Sequence, residues 1–390
     1  MIPFLFSLGF SIHPSCKAPT KFPEPLNSSF IPKYAQILLR HGARTPIVKF
    51  LSLDKRGVWQ CDSADAYASR IEAAPLVHPR RIRRILDQRL AEFPANCQMG
   101  DLTVEGMTEH AELGAAFNKY IVNQLKLLPD YLDPTLIQAR ATWYERTYHS
   151  CISFLKGLYP IQDPNEVVDI TVGTKDFDVV HPTKDMCPDL ADLRNRYFNS
   201  DDYKQIYNEV LPVAEPLYTF TNTSDKSPEG LEKICDWAIT YYCNEQDLTE
   251  IITDDLVAKC RKLQIAHFYK LNFFDKEKLA IGAAPIFREI FRVMDQSLNE
   301  ESTTKLNIIS AHDSVIAFVL SALGIGNDFT DPPPYASYIV MEVYMLNQEP
   351  YVRFIYNGEV LDLGDGQQVM KLHNFRQKLD PYLQQCLTLP

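Results

Sequence analysis

Tyr34-Ala35-Gln36-Ile37-Leu38-Leu39 runs directly into Arg40-His41-Gly42-Ala43-Arg44-Thr45-Pro46. The first six residues form a short apolar run without Gly or Pro, which reads as a buried strand. The run stops at two charged or titratable side chains and a glycine. Two further segments repeat this form. Leu136 to Arg140 reads as a short strand leading into a stretch that ends at Arg146, and Leu306 to Ser310 reads as a buried strand ending at Ala311-His312-Asp313. In open α/β sheets ligands bind beyond the carboxyl ends of the strands. Three cationic or acid–base clusters at three strand ends are therefore expected to meet in one pocket.

Their chemistry is coherent. A phosphate monoester dianion needs several fixed donors, and the planar fork of arginine matches its oxygens. A neutral imidazole can attack phosphorus and hold the group covalently. A departing alkoxide needs a proton, which a carboxylic acid can supply. Gly42 is expected to let the backbone approach the ligand. Singly, each residue has a duller reading: a lone His after a strand is more often structural, and a lone Arg is usually a surface charge. The arrangement outweighs those readings.

Outward from the strands, the pattern divides the chain. Residues 1–32 read as a leader and exposed tail, rich in Pro and Ser. Residues 33–163 and 286–390 read as the two parts of an α/β body, and residues 164–285 as a mainly helical lobe. Thr103 is placed to cap a helix with Met107, His110, Gly114, Phe117 and Ile121 on one face. Thr142-Trp143-Tyr144-Glu145 has the form of a capping box, predicting a helix to Gly157. A long helix is expected over Ala280 to Gln296 and another from Val315 to Leu323. Tyr338 to Tyr344 and Tyr351 to Tyr356 are expected to pair as strands. Residues 54–99 form an irregular excursion containing the densest basic run, His78 to Arg84, which reads as a solvated helix start.

The chain has 390 residues, enough for a sizeable core, and a formal net charge of −11. So acidic a chain is a poor general binder of nucleic acid or anionic membrane, so an anionic ligand needs a local basic pocket. Met1 to Phe10 is apolar but shorter than the roughly 20 residues that span a bilayer. It reads as the hydrophobic part of a signal peptide cut before Cys16, and no stable membrane span is expected. The nine cysteines form no C-x-x-C pair, so a zinc site is not expected. Their wide spacing suits disulfides in an exported protein, with at least one thiol left over. Cys61 and Cys97 flank the excursion and are candidates to pair. Asn27-Ser28-Ser29 and Asn222-Thr223-Ser224 are acceptor sequences for N-glycosylation.

Residues 40–46 match the R-H-G-x-R-x-P motif of the histidine acid phosphatases, a branch of the phosphoglycerate-mutase-like superfamily. His312-Asp313 resembles the family's second motif. Residues 140–147 resemble its R-S-T-D-x-x-R-T segment, with Ala141 and Trp143 as departures. Residues 102–114 resemble its L-T-x-x-G-M-x-x-H-x-x-L-G segment, and Pro333-Pro334-Tyr335-Ala336-Ser337 its P-P-Y-A-S segment. The matches are collinear from about residue 34 to 344. They look closer to the prostatic, lysosomal and xylose-phosphate phosphatases than to the fungal phytases.

The resemblance implies an α/β fold, a mixed central sheet flanked by helices with a helical second lobe. It implies hydrolysis of small-molecule phosphate monoesters through a phosphohistidine on His41, with Asp313 as proton donor. Arg40, Arg44, Arg146 and His312 are implied as phosphate-binding, and no metal or other cofactor is implied. A bridge between Cys187 and Cys386 is implied by their family-like context. A secreted protein, or one of the lysosomal or endomembrane lumen, is expected. A specialised phytase or sugar-phosphate phosphatase is the alternative activity, and a homodimer is left open.

Overall fold

The computed structural model describes residues 13–50, 57–61, 93, 97–160, 167–182, 186–246, 248, 250–275, 281–325, 331–384 and 386. The apolar leader Met1 to Phe10 and the basic run His78 to Arg84 lie outside the described residues.

Among the described residues eight strands form one sheet: β1 (Ile31–Arg40), β2 (Ile137–Ala141), β3 (Ile170–Val172), β4 (Leu306–Ala311), β5 (Tyr338–Leu346), β6 (Glu349–Tyr356), β7 (Glu359–Val360) and β8 (Met370–Lys371). The order is β3-β2-β4-β1-β5-β6-β7, with β8 pairing β6. Strands β3, β2, β4 and β1 run parallel, and β5 turns the rest antiparallel. The expected mixed sheet is thus present.

Among the described residues the longer helices are α1 (Val104–Phe117), α2 (Glu145–Leu158), α3 (Pro188–Phe198), α4 (Asp201–Thr221), α5 (Pro228–Cys243), α6 (Asp254–Ile265), α7 (Ala284–Leu298), α8 (Asp313–Ala322) and α9 (Leu372–Leu383). Side chains alternate across a strand, and β1 buries both sets. Ala35, Ile37 and Leu39 pack with Phe117 of α1 and Phe154 of α2. Tyr34 and Leu38 pack on the opposite face with Phe287 of α7, Val315 of α8 and Phe375 of α9. Burial on both faces explains why the strand reads as a nearly unbroken apolar run. A third cluster, built around Trp237, Tyr241, Val210 and Leu263, holds α3 to α6 together.

Thr103 caps α1, its hydroxyl accepting from the Gly106 amide at 3.2 Å. The capping box expected at Thr142 is not formed. Helix α2 starts one residue after Tyr144, which makes no side-chain cap. The Thr142 hydroxyl instead lies 2.8 Å from Thr147 Oγ1 and 2.9 Å from His312 Nε2. A partner brought in by the sheet thus displaces the local motif.

Four disulfides join Cys16 to Cys243, Cys61 to Cys97, Cys187 to Cys386 and Cys235 to Cys260. Cys151 keeps a buried thiol, which burial pushes up to about 12. Among the described residues no helix is long and apolar enough to cross a membrane. Asn27 and Asn222 are both exposed.

Candidate active site

Parallel pairing brings the motifs together. Arg40 of β1 is in register with Ala311 of β4, and Ala141 of β2 with Ser310. The residues after each strand therefore emerge at the same edge of the sheet. His41 continues the pairing, its amide donating to the Ala311 carbonyl at 3.0 Å.

The loop that carries His41 is gripped from two sides. A Cβ on Gly42 would collide with the Gly106 carbonyl, and one on Gly106 with the Ala43 backbone. Gly42 thus serves close packing of the loop on α1, a different use from the ligand approach expected of it. His110 Nε2 donates to the Arg40 carbonyl at 3.0 Å, and a buried oxygen of Glu109 accepts from the Ala43 amide at 2.8 Å. Burial pushes Glu109 up to about 7 and His110 down to about 4. On the other side, the Arg40 amide donates to Ser337, and the Ala336 amide to the His41 carbonyl at 3.2 Å.

His41 is almost fully buried. Its Nδ1 lies 2.8 Å from the Gly42 carbonyl. A carbonyl only accepts, so Nδ1 carries the proton and Nε2 keeps its lone pair. Burial, then Arg146, Arg40, His312 and Arg44, hold the imidazole well below its ordinary value. Both loss of hydration and neighbouring cations disfavour a charged ring.

The three arginines are held differently. Arg40 pairs with Asp313 Oδ2 at 2.8 Å, donates to the Pro333 carbonyl, and lies over the Tyr335 ring at 4.6 Å. Arg44 pairs with Asp236 of α5 at 2.8 Å and reaches Thr240 Oγ1 at 3.3 Å. Arg146, in the first turn of α2, has no carboxylate partner among the described residues. It lies over the Tyr144 ring at 4.3 Å and 3.5 Å from His312 Nδ1. Burial and Arg44 lower it to about 10. Arg140 pairs with Asp178 at 3.4 Å and with Glu289 at 3.9 Å.

His312 caps the start of α8 without a side-chain bond. A guanidinium only donates, so Nδ1 facing Arg146 is the acceptor and Nε2–H points to Thr142. Burial and Arg146 hold this ring, too, well below its ordinary value. Asp313 begins α8 and accepts from the Ser314 amide at 2.9 Å.

A cavity of about 460 Å³ opens over these groups. His41, Arg44, Arg146, His312 and Asp313 line it, and Arg40 adjoins the lining through its pair with Asp313. The far wall comes from the helical segment, with Arg194, Phe198, Glu232, Lys233, His267 and Phe268. His181, which no sequence motif marked, also lines the cavity, and its ring centroid is 4.6 Å from that of His312. Asp236 and Thr240 were likewise not singled out from sequence. Their partner Arg44 lies nearly two hundred residues away, and no local pattern carries that signal. Among the described residues no group of three or more His, Cys, Asp or Glu side chains is arranged to hold a metal ion.

A buried neutral imidazole with a free lone pair, ringed by arginines and followed by a carboxyl group, is equipped for phosphoryl transfer. The class this defines is that of phosphoric monoester hydrolases. The chain belongs to the histidine phosphatase superfamily (branch 2), whose sequence model matches residues 33–357. Counting factor 60 of Dictyostelium discoideum is 25% identical over 368 residues, 91% of this chain and 86% of that protein. Prostatic acid phosphatase of Homo sapiens is 26% identical over 277 residues, 67% of this chain and 69% of its own length. Among solved structures, a Hafnia alvei phytase in complex with tartrate superposes with a TM-score of 0.62 at 16% identity. It covers 94% of this chain and 100% of that one, a likeness of fold.

Proposed function

We propose that the chain is an acid phosphatase that passes the phosphoryl group of a monoester to His41 Nε2 and then to water. In the first step Nε2 bonds to phosphorus, the bond to the leaving oxygen breaks, and Asp313 gives that oxygen a proton. In the second, water attacks phosphorus, the Asp313 carboxylate takes its proton, and His41 leaves as a neutral ring. Arg44 and Arg146 receive the phosphoryl oxygens, with Arg40 both a third donor and the counter-ion of Asp313. His312 joins them when it takes a proton on Nδ1, which an arriving dianion favours.

One observation carries this reading: Nδ1–H of His41 is committed to the Gly42 carbonyl. That bond leaves Nε2 as the nucleophile, beside a buried Arg146 without a carboxylate partner among the described residues. The body segments 33–163 and 286–390 supply the reacting groups, and the helical segment 164–285 walls the leaving-group side. The alternative of a phytase is less favoured. Of the cations on that wall Arg194 is committed to Glu232 at 2.6 Å, and Lys233 is accompanied by Glu229 on the same helix. Several further phosphates would find few partners there.

The disulfides suit an oxidising compartment, and we place the enzyme outside the cell or in the lysosomal or endomembrane lumen. The test is rapid mixing with a monoester bearing labelled phosphate, followed by quenching and peptide mapping. Label on His41, absent in His41→Ala together with turnover, is the expected result. Label on another residue overturns the proposal.

A further inference from the structure

His181 is a cavity-lining titratable group to which the mechanism above gives no task, and it stands next to His312. Its placement is built, not incidental. Asp178 accepts from the Val180 amide at 3.1 Å, pairs with Arg140 at 3.4 Å, and its carbonyl takes the His181 amide at 3.0 Å. This turn sets the imidazole edge-on to His312, centroids 4.6 Å apart, and to Tyr144, 5.6 Å apart. The His312 ring in turn stands 5.5 Å from that of His41. His181 thus reaches the nucleophile's surroundings through His312, and it lines the same cavity that a leaving group must occupy once phosphorus is at His41.

We propose that His181 meets the leaving group and favours a phosphate monoester whose alcohol part carries a carboxylate. This rests on the phosphatase reading above. The charges around the cavity support it. Asp313 is answered by Arg40, Asp236 by Arg44, and Glu232 by Arg194, while Glu229 and Lys233, four residues apart on α5, bring opposite charges to the wall. Among the described residues the charged and ring groups that act on His181 are Arg146 and Tyr144 at the start of α2, and His312 and Asp313 at the start of α8. Burial and Arg146 lower His181 below its ordinary value, so it becomes a cation only in acid. Among the described residues Asp313, itself paired with Arg40, is the carboxylate that acts on His181, and a leaving-group carboxylate would then supply a counter-ion of its own. A carboxylic acid on the substrate ionises above about 4.5, so the preference belongs between there and the titration of His181.

The experiment compares 4-carboxyphenyl phosphate with its methyl ester, which has the same shape without the charge. The kcat/KM ratio of acid to ester is followed from pH 4 to 8 in the wild type, His181→Phe and His181→Gln. Phe keeps the ring packing on His312 and Tyr144, and Gln keeps a polar group that never charges. The expected wild-type ratio rises about tenfold in the acid window, the scale of a hydrogen bond to a charged group, and falls away on either side. In both variants the ratio is flat with pH, whatever their absolute rates. An active wild type with a flat ratio, or variants that keep its peak, overturns the proposal alone. No hydrolysis of either compound by the wild type overturns the phosphatase reading and this one with it.

Discussion

Asp236 on helix α5 holds the guanidinium of Arg44 at 2.8 Å, so a residue of the helical segment fixes a donor that the sheet edge presents. Arg44 is nearly fully buried, and Asp236 only slightly exposed. Removing one partner of such a pair leaves a charge without an answer, which is costly.

Asp236→Ala is therefore expected to lower stability by about 2 kcal/mol, less than a fully enclosed pair because solvent reaches Asp236. Inorganic phosphate should raise the melting temperature of the variant more than that of the wild type, because it replaces the missing counter-ion of Arg44. Equal shifts in the two proteins would mean that phosphate does not reach Arg44.

Asp313→Asn should separate substrates by leaving group. An alkyl alkoxide needs a proton as it departs, whereas nitrophenolate leaves with little help. The loss on an alkyl phosphate is expected to be about 10²–10⁴-fold, with a much smaller loss in the burst of nitrophenol from p-nitrophenyl phosphate. The burst is the right measure because the second step also needs Asp313. Equal losses would reassign Asp313 to holding Arg40.

Glu109 predicts a pH dependence of stability. Burial raises its carboxyl from 4.5 to about 7 in the folded chain. Between those values the folded chain holds a proton that the unfolded chain has lost, so stability falls as pH rises. The decline begins near pH 4.5, is complete just above 7, and amounts to on the order of 3 kcal/mol. Urea unfolding at pH 4.5 and 7.5 should show Glu109→Gln losing this part of the wild-type difference. The same pH dependence in both would assign it to other groups.

The bond between Cys187, just before α3, and Cys386, just after α9, closes a separation of 199 residues. Replacing both by Ala is expected to cost about 3 kcal/mol through a less restricted unfolded chain. Denaturant unfolding checks it, and a loss below 1 kcal/mol would show that packing alone holds the segment.

Strands β1, β2, β4, β5 and β6 were legible because their signals are local, whereas β3, inside the stretch read as helical, β7 and β8 are only two or three residues long and were not read. Tyr34 to Leu39 and Leu306 to Ser310 announce buried strands by apolar runs, and each is followed at once by its chemical residues. The Thr103 cap was legible for the same reason: its partner is the amide three residues on. The Thr142 box was misleading although it has the same local form. Its hydroxyl found His312, 170 residues away, and a hydroxyl bonds whichever partner the fold delivers.

By itself the sequence determined which groups stand at the sheet edge, since the strand ends and the motifs after them are contiguous in the chain. Tertiary structure alone decided how those groups are held. It set Asp236 against Arg44, Arg40 against Asp313, Glu109 beneath Ala43, and His181 beside His312. These pairings join residues that are mostly far apart in the chain, brought together by strand register and helix packing. No period or spacing encodes them, because an ion pair or a ring contact depends on distance in space, and separation along the chain leaves that distance open.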